Sequence, residues 1–355
     1  MRRTSNPNRI TGPASIFWGY LGLVTAAELV TSLVDLQAGM IFHLALVVVF
    51  VLHGALGRNV SERRLALALT VAPFIRLLSL SLPLSSLPQA AWYPAVAVPL
   101  LLGAFYVVRQ IGVPRRELGL TSGHLPTQLM LAGLGLGLGV MEYAILRPEP
   151  MLARYDLAAV ALGALSLAVF TGFNEEFIFR GLLQSTSRPV LGKVDLLYVS
   201  LLFGVLHIGY LSLLDVVFVS AVGLLFAYLV RWGGSILGVT LAHSLTNIML
   251  FIVMPYLSAN PTGLLAAIAP WIIGAGTFLS VAASVRLWRS SRKAKRAAVR
   301  SAQTVLLPDL PDLPEDSRQI AEVTTTAMST AMWLSGRTAW QGRNHKPVWK
   351  GVHSQ

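Results

Sequence analysis

Long apolar runs, each about the length of one bilayer crossing, alternate along this chain with short joints that carry its Arg, Pro and polar residues. Runs of about 20 residues, rising 1.5 Å per residue as helix, cover roughly 30 Å of hydrocarbon. The pattern predicts ten helices, at 14–34, 38–57, 64–82, 91–109, 127–146, 157–186, 194–210, 212–230, 234–254 and 263–286. The runs are continuously apolar and do not alternate with period two, which argues against a β-barrel. The expected fold class is therefore all-α, a polytopic transmembrane helical bundle of about ten spans. The sixth run is too long for one perpendicular crossing, and Gly172 and Asn174 predict a tilt or a break within it. In "GLGLGLG", Gly133, Gly135, Gly137 and Gly139 place small residues at spacing four, suited to close helix packing. No strand precedes that segment and no Lys follows it, so it does not read as a phosphate loop.

Composition agrees: the 355 residues are 54% hydrophobic and 12% charged, far from a soluble domain. A net charge of +12 would suggest nucleic acid, but the basic residues sit in the joints and after Arg286. There they set orientation and touch anionic lipid, so membrane lipids and not nucleic acid are the expected partners. With Arg2, Arg3 and Arg9 inside, the inner joints hold Arg58, Arg63, Arg64, Arg115, Arg116, Arg188, Lys193 and Arg231, while most of the alternate joints hold no Lys or Arg. Both termini are expected to be cytoplasmic. The first run lacks a small-residue cleavage site and reads as an uncleaved span. The chain has no cysteine, which removes disulfides and thiolate catalysis from consideration. Four regions are expected: N-terminal helices (1–150), a core (151–260), a last helix (261–286) and a basic, disordered tail (287–355).

An ionisable group in a span is costly unless it is paired or reaches water. Three clusters meet that description: Glu175, Glu176 and Arg180 in "NEEFIFR"; Phe203 and His207 in "FGVLH"; His243 and Asn247 in "HSLTN". Glu176 and Arg180 are four residues apart and can pair, while Glu175 projects about 100° away and stays available. Counted from the inner ends, Glu175, His207 and His243 all lie roughly 14–20 Å deep and can meet in one layer. Glu28, Arg76 and Glu142 lie at similar depth in the first, third and fifth runs, and Arg76 is expected to pair with at least one of the two glutamates. Asp195 and Asp215 fall at helix ends, where solvent or a helix N-terminus satisfies them.

A desolvated carboxylate suits a general base that takes a proton from water. A histidine beside it can hold that water, and a second histidine with an amide can stabilise an oxyanion. The groups therefore suit hydrolysis of an amide bond at or within the membrane. Glu175, His207 and His243 could instead hold zinc with one open position. The same buried groups could relay protons or bind a cation in a transporter, which would call for two related halves. No internal repeat is present.

The ordered set Glu-Glu-x-x-x-Arg (175–180), Phe-x-x-x-His (203–207) and His-x-x-x-Asn (243–247) resembles the motifs of the CPBP family of intramembrane proteases. That family includes the type II CAAX prenyl endopeptidases and bacterial bacteriocin-processing and self-immunity proteins. The resemblance covers about residues 155–255. It implies an endopeptidase acting on a membrane-associated protein or peptide, in a bacterial plasma membrane. It also implies that Glu175 and His207 activate water, that His243 and Asn247 form the oxyanion site, and that Glu176, Arg180 and Phe203 support them. A metal-free glutamate mechanism is the favoured reading, with zinc as the alternative cofactor.

Overall fold

The computed structural model describes residues 12–306, with side chains from 14 to 298. Among the described residues every regular element is helical, and nine helical stretches are long and apolar enough to cross a membrane. In chain order the helices are α1 (Gly12–Leu33), α2 (Leu36–Leu56), α3 (Val60–Ser81), α4 (Gln89–Ile111) and α5 (Leu125–Leu146). They continue with α6 (157–191), α7 (Asp195–Val205), α8 (Leu213–Gly233), α9 (Leu237–Ala259) and α10 (Leu264–Leu306). Nine replaces ten because α6 and α7 follow almost without a gap, over Leu157–Tyr210. The chain still turns between them: Gly192 adopts φ +62°, a left-handed conformation that glycine takes without a Cβ clash, and the end of α6 packs on α7.

Short polar side chains start several of these helices. The carboxylates of Asp35 and Asp156 accept from the amides of Ala38 (2.7 Å) and Ala159 (2.9 Å), and the Asn59 amide oxygen accepts from Ser61 (2.9 Å). α3 tightens at Thr70, whose hydroxyl bonds the Leu67 carbonyl at 2.6 Å, because Pro73 has no N–H to continue the ladder. Of the expected tilt or break in the sixth run, no break occurs: α6 runs through Gly172 and Asn174 as one helix that contains two π-helical stretches, Ala168–Phe173 and Phe177–Leu183.

Outward-facing Leu, Val, Ile and Phe side chains such as Ile41, Leu102, Leu162 and Phe278 are exposed, as expected of surface that meets lipid. The interior is organised around α9, in which 61% of the apolar window is buried, against 6% in the last helix. α5 and the first π stretch of α6 flank α9. The glycines permit this. A Cβ at Gly135 or Gly139 would strike the α9 backbone at Ala242 or Thr246, one at Gly172 would strike Ser244, and Gly133 and Gly137 abut Gly276 and Thr277 of α10.

Residues up to Trp288 form one compact unit, and a second begins at Arg289. The helix of the last span continues to Leu306, so the first part of the expected disordered tail is helical. The remainder, from residue 307, lies outside the described residues.

Candidate active site

Three helices supply the polar residues that the sequence singles out. α6 presents Asn174–Glu176 as one α-helical turn between its two π stretches. A π turn inserts an extra residue and re-aims the side chains beside it, which is one reason such turns gather at functional sites. The two glutamates point into different surroundings. Glu176 is fully buried, and its Oε1 accepts from Arg180 Nη1 at 2.8 Å and from His243 Nδ1 at 2.7 Å. Glu175 keeps 28% of its side chain exposed and lies 3.8 Å from His243 Nε2. One glutamate is thus neutralised and the other faces open space, the division that the spacing predicts.

Arg180 is held on two sides. Its charge meets Glu176, and its guanidinium lies 4.5 Å from the Phe203 ring centre, with the rings of Phe226 and Phe179 farther out. Phe203 also meets His207 edge-on at 4.9 Å and His243 at 6.0 Å, so one ring packs against three polar residues of the site.

His207 corrects the expected placement inside a helix. α7 ends at Val205 and His207 stands in the turn that follows, completed by Leu211 at φ +56°. Its Nδ1 lies 2.9 Å from the Phe203 carbonyl, which can only accept. Nδ1 therefore carries the proton and Nε2 is left as an acceptor. On α9, His243 and Asn247 share a face. The Thr171 hydroxyl has one hydrogen, which goes to the Leu167 carbonyl, so it accepts from Asn247 Nδ2 at 2.7 Å. That bond fixes which way the amide points and leaves its second N–H free.

Glu175, His207, His243 and Asn247 all line one cavity of about 80 Å³. Glu175 and His207 also line a larger one of about 390 Å³, together with Arg76, Trp92 and Tyr93. Arg76 pairs with Glu28, as expected, through two hydrogen bonds of 2.8 and 2.6 Å. Glu142 instead faces the smaller cavity. Asp195 and Asp215 do not rely on solvent, for both are fully buried. Asp195 is paired with Arg231, and Asp215 sits in the first turn of α8. Thr171, Tyr93, Tyr210 and Phe226 line the smaller cavity without having been singled out. Thr171 carries a signal, four residues before Glu175 on the same helix. Tyr93 carries none, because α4 reads as an uncharged span up to Arg109.

Residues 157–249 match the family model described as type II CAAX prenyl endopeptidase Rce1-like. No curated protein and no solved structure matches the chain. The match begins with α6, ends within α9, and contains all three motifs. The protein is an integral membrane protein whose residues 157–249 are similar to the Rce1-like type II CAAX prenyl endopeptidases, a family of CAAX-type intramembrane proteases.

Proposed function

We propose that the protein hydrolyses a peptide bond of a membrane-associated protein or peptide by a metal-free glutamate mechanism. The observation that carries the reading is the single cavity shared by Glu175, His207, His243 and Asn247, where Glu175, unlike Glu176, is paired with no arginine. The substrate chain enters the larger cavity, and its scissile carbonyl reaches the smaller one. Water sits between Glu175 and the acceptor Nε2 of His207. Glu175 takes a proton from the water and the oxygen attacks the carbonyl carbon. The oxyanion is held by the free N–H of Asn247 and by Nε2–H of His243. Because His243 Nδ1–H already faces Glu176, donation from Nε2 requires the imidazolium form. The charges balance: two carboxylates against Arg180 and the imidazolium. The proton on Glu175 then passes to the amide nitrogen, the C–N bond breaks, and an amine and a carboxylate leave.

The test is cleavage of a farnesylated peptide and a panel of bacterial pro-peptides by purified protein. Glu175→Gln keeps the shape but cannot accept a proton, and is expected to lower turnover by about 10²–10⁴ while the protein stays folded. Activity that vanishes on extended chelation and returns with zinc would overturn the metal-free mechanism and make Glu175, His207 and His243 ligands. The positive-inside pattern supports both termini on the cytoplasmic side.

A further inference from the structure

His207 is the one member of the site that no regular helix holds, and a residue from outside the matched family domain reaches the peptide beside it. Arg76, on α3, donates Nη2–H to the Leu206 carbonyl at 2.6 Å. The carbonyl of Leu206 and the amide nitrogen of His207 belong to the same planar peptide unit, so holding one orients the other. The carbonyls at the end of α7 have lost their helical partners, and a guanidinium there satisfies one and complements the helix dipole. Arg76 is itself fixed in two-point contact by Glu28, a fully buried residue of α1, and His43 of α2 lies 3.6 Å from the same carboxylate. Glu28, His43 and Arg76 all precede residue 157, where the family match starts.

We propose that Arg76, clamped by Glu28, is a positioning residue that sets the turn of His207 and thereby aims its Nε2 at the water beside Glu175. The inference rests on the role given above to His207. The planar guanidinium serves the carboxylate and the carbonyl at once, and a lysine ammonium on a flexible stem cannot reproduce that geometry.

The test uses full-length protein carrying Glu28→Gln/Arg76→Gln, which removes the charge from both partners so that neither is left buried and unpaired. The expected result is a folded, monodisperse protein whose kcat falls about 10–100-fold, with KM changed by less than about threefold. A second readout is nitrogen NMR of histidine-labelled protein, with the His207 signal assigned by its loss in His207→Gln. The native protein is expected to show a single Nδ1–H tautomer and the double variant a mixture. Should the double variant fail to fold, Arg76→Lys, which retains the charge opposite Glu28, carries the same comparison. A folded variant with kcat within about threefold of native, or one with reduced kcat and an unmoved His207 signal, overturns the proposal. Full activity in His207→Ala would instead overturn the catalytic role of His207, and the NMR signal would still decide whether Arg76 orients it.

Discussion

Two adjacent glutamates differ here because one helical step carries them to opposite surroundings, and their substitutions are expected to differ accordingly. Glu176 accepts from both Arg180 and His243 and is fully buried. Glu176→Gln leaves a guanidinium facing a neutral amide in the interior. A loss of about 3–5 kcal/mol is expected, read as a lower thermal midpoint and lower yield as well as lower activity. Asn247→Ala behaves otherwise. It removes one donor from the proposed oxyanion site and leaves the Thr171 hydroxyl without that bond. Turnover is expected to fall about 10²–10³-fold with a smaller effect on substrate binding, which steady-state kinetics separates. The pairing of Glu176 with Arg180 was readable from the four-residue interval. The second bond, to His243, was not, since nothing in the spacing says which nitrogen of a distant histidine turns toward which carboxylate.

Among the helices, α6 shows what a linear reading captures and what it misses. Its start was readable: Asp156 stands before an apolar run and caps it. The Ala159 amide that Asp156 accepts from holds its carboxyl below the usual carboxylate range, with Arg154 a smaller contribution. A depressed folded-state pKa stabilises the protein above the unfolded-state pKa, and the gain is lost as pH falls through the folded value. The thermal midpoint of Asp156→Ala is therefore expected to lie below that of the native protein near neutrality and to converge with it as the pH is lowered through the acid range. The interior of α6 was not readable, because π turns leave composition and periodicity nearly unchanged. His207 was misplaced for a related reason. "FGVLHIGY" is as apolar as the helix before it, and α7 ends at Val205 with Leu206 still in the helical region, so no residue there announces the turn that Leu211 later closes in the left-handed region. The spans themselves were plain, because a bilayer obliges each crossing to satisfy its own backbone and to be apolar over a known length. Gly135 and Gly139 were recognisable as packing residues and Gly172 read as a tilt or break, but the target that all three share, α9, emerges only from the folded chain.

Across the molecule, the catalytic candidates are confined to α6, the end of α7 and α9, and the basic run that begins at Arg286 follows the last span. Truncation after residue 301 is expected to leave membrane insertion and peptide cleavage nearly intact and to change adsorption to anionic lipid little, because it keeps the basic run from Arg286 to Arg300, in which each residue near the surface contributes on the order of 1 kcal/mol. Flotation with liposomes of varied phosphatidylserine content measures the second effect. A folded truncate without protease activity would mean that the tail takes part in binding substrate.

The larger cavity has walls of two kinds. Glu175, His207 and Phe203 come from the segment that matches the protease family, whereas Ile75, Trp92 and Val96 come from helices ahead of it. Under the proposed function, chemistry and selectivity would lie on different stretches of the same chain. A lineage can retain the reacting groups unchanged and still acquire new substrates through drift at apolar positions such as Ile75 of α3 and Val96 of α4, where a changed side chain alters the shape of the entrance without touching a proton donor or acceptor. Val96→Trp tests this. It is expected to raise KM roughly tenfold for the substrate with the bulkiest apolar attachment while kcat on a short unmodified peptide holds. Relatives that share the residue 157–249 segment could then cut different proteins, and swapping α3 and α4 between them would exchange their preferences.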